Sequence, residues 1–250
     1  MPTNAARIFV AEAIGTFTLI FVGVLAIYSN GLVQPPGTAN LVAIGLAHGL
    51  AIGLSVAALG AISGGHFNPA VTFGFVVTGR LKPAAGLMYW VAQLLGASIA
   101  GFLALAFVGQ AGVAGGTPDL GKGISPVAGI VIEAVLMFFL VSVVFGAAVD
   151  ERAPKSIYPL AIGLTIAMDI MAGGPLTGAA MNPARTFGSA IASGHWDNHL
   201  VYWIGPLIGG AVGAGVHHFF FMVQAPSLAT AAHGGPAPAE ERGAPTIASG

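Results

Sequence analysis

The residues with the clearest chemical potential come in two copies of one pattern, N-P-A-x-T-F-G, at 68–74 and 182–188. Asn is a favoured helix N-cap and Pro is favoured at the first helical position, so each copy predicts a compact helix start. A helix N-terminus carries partial positive charge and unpaired N–H groups, and an Asn amide adds further donors. The candidate site residues of the two motifs are Asn68, Pro69, Ala70, Asn182, Pro183 and Ala184.

Four further ionisable side chains lie in otherwise apolar surroundings. Arg185 follows the second motif directly, and a charge within an apolar segment is a functional hypothesis by default. Glu12 and Glu133 are interpreted as structural acceptors for backbone N–H groups near the motifs, with a proton relay as the alternative. Asp169 is assigned a structural role, either within the bundle or in positioning Arg185.

Composition places these residues in a membrane. The chain has 250 residues, of which 56% are hydrophobic and 7% charged, and residues 13–79 contain no Asp, Glu, Lys or Arg. One bilayer crossing takes about 20 apolar residues, so that stretch holds at least two spans. Long apolar runs favour helices over a membrane β-barrel, whose strands alternate. Six spans are predicted, at about 8–28, 41–62, 86–109, 126–149, 158–174 and 201–223.

The two halves of the chain repeat one order of elements: a span with Glu, an Ala-Ile-Gly-Leu span, Asn-Pro-Ala, and a Tyr-Trp span. Because each unit holds three spans, the second enters the membrane from the opposite side, which gives an inverted repeat at about 7–110 and 126–223. Each segment after Asn-Pro-Ala is a helix of about ten residues, or about 15 Å. Two such half-helices should meet N-terminus to N-terminus at the midplane. There they would pass neutral molecules and repel cations.

The distribution of Lys and Arg predicts the orientation. With the N-terminus in the cytoplasm, only Lys122 falls in an outside loop, so both ends are expected to be cytoplasmic. We expect a channel domain at 1–224 and a disordered cytoplasmic tail at 225–250, which is rich in Ala, Gly and Pro. The compact loops favour a bacterial inner (plasma) membrane. The inside basic residues are Arg7, Arg80, Lys82, Arg152, Lys155 and Arg242.

The paired motifs N-P-A and N-P-A-R, at this spacing, resemble those of the aquaporin, or major intrinsic protein, family. The match covers residues 7 to about 223. The resemblance implies an all-α membrane protein of six spans plus two re-entrant half-helices. It also implies a passive water pore in each subunit, a selectivity constriction around the family arginine, and a homotetramer integral to the lipid bilayer.

Counting from the motifs, the resemblance assigns that constriction to His48, Ile170, Ala179 and Arg185. The set resembles that of plant tonoplast intrinsic proteins rather than strict water channels, which carry an aromatic residue and a His at the first two positions. Ile170 removes a donor and Ala179 leaves space. We therefore expect a wider pore that admits small neutral solutes such as ammonia or urea as well as water. His66 is expected to line the pore or its cytoplasmic vestibule.

Other functions are weighed against the channel. The first alternative is a glycerol or small-solute facilitator, but glycerol specialists resemble this chain less, since Thr186 and Ala190 replace their Asp and basic residue. A secondary active transporter is more remote, because inverted repeats also serve there, and its only candidate ion sites would be Glu12, Glu133 and Asp169. The chain has no Cys, no G-x-S-x-G and no H-E-x-x-H. No enzymatic activity, catalytic residue, cofactor, metal site or nucleic-acid partner is predicted.

Overall fold

The computed structural model describes residues 4–35 and 37–222, so the predicted tail at 225–250 lies outside the described residues. The described residues form eight α-helices: α1 (Asn4–Val33), α2 (Leu41–Ser63), α3 (Pro69–Val77), α4 (Pro83–Gly115), α5 (Pro126–Val143), α6 (Tyr158–Thr177), α7 (Pro183–Ser193) and α8 (Val201–Val216). Helices α5 and α8 each continue into a π-helical turn, Val144–Val149 and His217–Phe221.

Six of these helices are long and apolar enough to cross a membrane when α5 and α8 are counted together with their π-helical turns: α1, α2, α4, α5, α6 and α8. They leave large apolar side chains such as Leu54 and Phe107 exposed, 65% and 69% respectively, on their outer faces. The helices α3 and α7 have 9 and 11 residues, hence lengths of about 14 and 17 Å. The predicted fold class, six spans with two half-helices, is confirmed.

Two spans are longer than their apolar runs predicted. α1 continues to Val33 and α4 continues to Gly115, although the apolar runs ended near 28 and 109. Gly109 has φ 69° and ψ 174°, so α4 kinks there before its helix resumes. This left-handed region is open to glycine at little cost. The sequence predicts a loop after the span that ends near Gly109, and this prediction is wrong as far as Gly115.

The packing of the helices repeats between the two halves. α1 packs against α4 as α5 packs against α8, and α7 lies on α4 as α3 lies on α8. Gly96 of α4 lies against the Ala13 carbonyl, and Gly209 of α8 lies against the Ala134 carbonyl; a Cβ at either glycine would clash with that oxygen. The helices of both halves therefore approach one another in the same way, as an inverted repeat requires.

Candidate functional site

The two Asn-Pro-Ala motifs start α3 and α7 inside the bundle. Asn68 caps α3, and its side-chain oxygen accepts a hydrogen bond from the Ala70 N–H at 2.8 Å. Asn182 caps α7 and accepts from the N–H groups of Ala184 at 3.0 Å and Arg185 at 3.3 Å. Both caps are buried. The predicted helix starts are therefore present at both motifs, with Pro at the first helical position.

Each Asn amide also connects its half of the protein to the other half. Asn68 Nδ2 donates to the Met181 carbonyl at 2.8 Å, and Asn182 Nδ2 donates to the Phe67 carbonyl at 2.9 Å. Phe67 and Met181 adopt φ values of 48° and 50°, which are uncommon for residues other than glycine. The two half-helix N-termini are thus joined by a reciprocal pair of hydrogen bonds that depends on two unusual backbone conformations.

The loop before α3 is held by the buried acid Glu12 of α1. Its Oε1 accepts from the Ser63 hydroxyl at 2.6 Å and from the His66 N–H at 3.0 Å. Its Oε2 accepts from the Phe67 N–H at 2.7 Å and from Gln93 Nε2 at 2.8 Å. Four donors converge on two oxygens, which fixes the backbone of the loop, including the strained Phe67.

The loop before α7 is held in the same way by Glu133 of α5. Oε1 accepts from the Thr177 hydroxyl at 2.6 Å and from the Ala180 N–H at 3.0 Å, while Oε2 accepts from the Met181 N–H at 2.7 Å. Glu133 is fully buried. The two acids that the sequence put in register therefore occupy equivalent places and contact equivalent donors.

Two tyrosines complete the set of buried side chains that holds the two loops, which we call the frame. The sequence analysis did not predict this role for them. Tyr89 donates its hydroxyl to the Ser63 carbonyl at 2.5 Å, and Tyr202 donates to the Thr177 carbonyl at 2.8 Å. Both rings are buried, although a Tyr-Trp pair at a span end ordinarily suggests an interfacial belt. The signal that could have found them is their equivalent position in both repeats.

A narrow cavity passes both Asn-Pro-Ala motifs. Its volume is ≈ 30 Å³, which suits about two or three water molecules, since one needs about 10–15 Å³. A wider cavity of ≈ 530 Å³ shares three of the lining residues. We call it the outer vestibule because it opens on the face of the bundle opposite the ends of the described chain. The residues predicted for the site that line the narrow cavity are His48, His66, Asn68, Ile170, Ala179, Asn182 and Arg185.

Comparison with known proteins identifies the family of this arrangement. The family model described as major intrinsic protein matches residues 2–217. The chain belongs to the major intrinsic protein family. As a member of that family it is a multi-pass integral membrane channel and not an enzyme.

Similar proteins refine this assignment. The chain is 43% identical over 226 residues to aquaporin TIP4-1 from Zea mays, which covers 88% of each chain. It is 42% identical over 224 residues to aquaporin TIP2-1 from Arabidopsis thaliana, covering 86% of this chain and 88% of the relative. The predicted resemblance to tonoplast intrinsic proteins is confirmed by these relatives.

A solved structure supports the fold. The chain superposes on the aquaglyceroporin from Plasmodium falciparum with a TM-score of 0.78 at 24% identity, covering 87% of this chain and 97% of that one. This likeness concerns the helical architecture alone. Together with the relatives, it makes the six spans and two half-helices the major intrinsic protein fold.

Two side chains of this major intrinsic protein, His48 and Arg185, each have a buried polar atom without a partner among the described residues. His48 Nδ1 lies 2.8 Å from the Ile44 carbonyl, so Nδ1 carries the hydrogen and Nε2 of the neutral ring is left as an acceptor. Nε2 has no partner among the described residues, and neither does Nη1 of Arg185. Nε2 lies over Gly23, where a Cβ would clash with it. Both side chains line the narrow cavity and the outer vestibule.

Two other predicted residues, His66 and Asp169, lie away from His48 and Arg185. His66 is buried near the opposite end of the cavity, where its Nδ1 lies 3.0 Å from the Thr72 hydroxyl and its ring packs on Phe75. Asp169 is only 1% exposed, lines neither the cavity nor the vestibule, and has no partner for either carboxylate oxygen among the described residues. Its neighbour Ile170 does line the cavity, so the two residues point to different sides of α6.

The wall of the outer vestibule carries one acid, Asp119, in the connection between α4 and α5. Its Oδ1 accepts from the Leu120 N–H at 2.7 Å and from Asn198 Nδ2 at 2.8 Å. Burial raises the pKa of Asp119, but these hydrogen bonds and the adjacent His195 outweigh burial and bring the pKa below its usual value. Asp119 is therefore a carboxylate at neutral pH.

Proposed function

We propose that this major intrinsic protein conducts water passively and also admits ammonia and urea, with His48, Ile170, Ala179 and Arg185 as its selectivity filter. The observation that carries the proposal is the reciprocal pair of hydrogen bonds from Asn68 and Asn182 beside a cavity lined from both halves. It joins two helix N-termini at a point where a permeating molecule must pass.

The proposed mechanism at the motifs follows from the valence of the Asn amide. Each Nδ2 carries two hydrogens and uses one for the carbonyl of the opposite loop. The second hydrogen of the Asn182 amide is directed to a molecule in the lumen. The Asn68 amide also lies 3.9 Å from Met137 Sδ, a weak acceptor that the oxygen of a permeating molecule would replace. A water oxygen that accepts from Asn68 and Asn182 cannot accept a proton from its neighbours at the same time. The positive ends of the two half-helices add an electrostatic barrier to cations and protons.

The proposed filter selects by polarity and size. Arg185 offers a donor and His48 offers an acceptor, so a small molecule with both functions replaces its hydration there. Ile170 and Ala179 supply an apolar wall without further hydrogen bonds. Ammonia and urea satisfy this pattern as water does, whereas the fixed guanidinium repels ammonium and other cations.

The test is stopped-flow light scattering on proteoliposomes, with sucrose, urea or glycerol as osmolyte, beside a lumenal pH assay for ammonia entry. We expect faster entry of water, ammonia and urea than in empty liposomes. The double variant His48→Phe, Ile170→His should keep water permeability and lose most of the ammonia and urea flux. Undiminished ammonia and urea flux in that variant would show that the filter is assigned wrongly. Glycerol flux equal to water flux would favour a small-solute facilitator, and solute uptake abolished by a proton ionophore would favour a secondary transporter.

We further propose that residues 1–224 form the channel domain, with repeats at about 7–110 and 126–223, that the domain assembles as a homotetramer, and that both ends face the cytoplasm. The bias of Lys and Arg toward one face supports the orientation, and family membership supports the tetramer. Because the chain has no Cys, single replacements Lys82→Cys and Lys122→Cys test the orientation by labelling with a membrane-impermeant maleimide. Only Lys122→Cys should react from outside. Light scattering of the detergent-solubilised protein measures the assembly.

The identity of the membrane in which the channel resides stays a prediction. The sequence favoured a bacterial inner membrane, and the relatives named above, which come from plants, do not support that choice. Fractionation of the native host, followed by detection of the chain in plasma-membrane or internal-membrane fractions, decides it.

A further inference from the structure

One cluster of metal-ligating side chains lies outside the conducting cavity, at the outer mouth. Asp119 belongs to the connection between α4 and α5, while His195 and Asp197 belong to the connection between α7 and α8. One ligand atom from each of the three lies within 4.8 Å of the other two. We propose that Asp119, His195 and Asp197 bind one divalent transition-metal ion of the zinc type, which bridges the two connections beside the vestibule.

The distances suit such an ion. Zinc bonds of about 2.0–2.2 Å to His nitrogen and carboxylate oxygen, in a tetrahedral arrangement, place neighbouring ligand atoms about 3.4 Å apart. His195 Nε2 lies 3.1 Å from Asp119 Oδ2, so two ligands already stand within a few tenths of an ångström of this separation. Asp197 Oδ2 lies 3.7 Å from the other ring nitrogen, Nδ1, which cannot bind the same ion as Nε2. Its ligand atom is nevertheless within 4.8 Å of the other two, and its side chain is 77% exposed. A rotation of this free side chain brings its carboxylate to the ion, and water completes the coordination.

The carboxylate of Asp119 is held in place for this role. Its Oδ1 receives two hydrogen bonds, from the Leu120 N–H and from Asn198 Nδ2, which leaves Oδ2 directed at His195. Outer partners of this kind orient ligands and raise metal affinity. Asp119 is thus a fixed ligand, and His195 and Asp197 complete the set from the facing connection.

The chemical types of the three ligands also decide which metal ions the site would bind. Calcium takes 6–8 oxygen ligands, and magnesium requires near-octahedral oxygen coordination, so an imidazole with two carboxylates suits neither. Imidazole and carboxylate together suit zinc, copper or nickel. Since Asp119 lies on the wall of the vestibule that leads to Arg185, a bound ion would tie the α4–α5 connection, which borders the entrance, to the α7–α8 connection.

The test uses the full chain, purified in detergent with any affinity tag removed, freed of metal by a chelator and titrated with Zn²⁺ against a chromophoric zinc indicator. We expect one site per chain. His195→Gln retains an amide donor within reach of Asp119 but removes the imidazole ligand, and it should lower the affinity at least tenfold. Asp119→Asn should do the same. The matched control is His218→Gln, at the opposite end of α8, which should bind zinc like the parent chain.

Equal zinc binding by the parent chain and by His195→Gln would overturn the proposal, as would the absence of stoichiometric binding. A melting temperature measured without metal shows whether His195→Gln is folded. If it is not, Asp197→Asn replaces it, because Asp197 is exposed and has no hydrogen bond that holds the fold in the structure described. Undiminished binding in that variant would also overturn the three-ligand site. Mg²⁺ at the same concentrations should not displace zinc from the protein, so the indicator signal should stay unchanged when Mg²⁺ is added.

Discussion

Replacement of Glu133 by Gln tests whether the buried acid maintains the conducting site. Gln has the same size but presents one accepting oxygen and one donating amide. It can still accept from Thr177 and Ala180, which both use Oε1. The amide would then face the Met181 N–H, which now donates to Oε2 at 2.7 Å. The variant therefore leaves a buried donor unpaired beside a second donor.

The expected loss of stability follows from the number of donors left unpaired. An unpaired buried donor costs about 1–3 kcal/mol, which is a sizeable part of a total stability of about 5–15 kcal/mol. Gln also relieves the desolvation cost of a buried carboxylate, so the two effects oppose one another. The bond from the Met181 N–H is short, at 2.7 Å, and we expect its loss to dominate. Glu133→Ala leaves all three donors without their acceptor and should cost about three times as much.

The local consequence reaches the lumen through Met181. A displaced Met181 backbone moves the carbonyl that accepts from Asn68 at 2.8 Å, so water permeability should fall together with the melting temperature. Glu151→Gln is the matched control, since it makes the same chemical change at an exposed turn. The assays are thermal unfolding in detergent and stopped-flow shrinkage of proteoliposomes.

The equivalent variant Glu12→Gln sharpens the test. The two loops are joined by the Asn68 and Asn182 amides, so damage to one already loosens the other. The double variant Glu12→Gln, Glu133→Gln should therefore lose less stability than the sum of the single losses. If Glu133→Gln matches Glu151→Gln in both melting temperature and permeability, the acid does not hold the site.

Three further outcomes follow from single contacts. Asp169→Asn should raise the melting temperature and leave water permeability unchanged, because neither Asp169 oxygen has a described partner; a lower melting temperature would contradict this. Gly188→Ala should destabilise by about 1–3 kcal/mol, since a Cβ there would strike the α4 backbone, whereas Gly31→Ala, which has nothing within 4 Å, should not. Asp150 has its pKa lowered by hydrogen bonds from Arg152, so its contribution is present above its unfolded pKa of about 3.9 and is lost as the pH falls through the lower folded value. The melting-temperature difference between the parent and Asp150→Asn should therefore be largest near neutral pH and shrink below about pH 4.

Local chemistry made the half-helices predictable from the sequence. Asn and Pro at the starts of α3 and α7 satisfy the N-terminal rules within three residues, and the apolar run that follows is too short to span. The same reasoning failed for α4. An apolar run ends near Gly109, but the helix resumes after a kink and continues to Gly115. The backbone at Gly109 interrupts α4 without ending it, and hydropathy does not record this difference.

The links between the halves could not be predicted in this way. Asn68 and Asn182 donate to carbonyls of Met181 and Phe67, which adopt left-handed backbone conformations. Neither Met nor Phe favours that region, so residue type carried no signal for it. The conformations persist because buried carboxylates fix both N–H groups from outside the loop. Likewise, Asp119 and His195 are 76 positions apart, and only the fold shows that they touch.

The positions at which the two repeats carry different residues explain how a symmetric frame could select molecules. Glu12 and Glu133 hold equivalent loops through equivalent bonds, so the frame itself treats both membrane faces alike. The third residue after the capping Asn is Val71 in one half but Arg185 in the other. Both line the narrow cavity, which places a single cation on one side of the midplane. If the frame alone excluded cations and larger solutes, Arg185→Val would make the two halves alike without changing selectivity. We expect instead that this variant passes larger neutral solutes, since the proposed filter would lose its guanidinium donor.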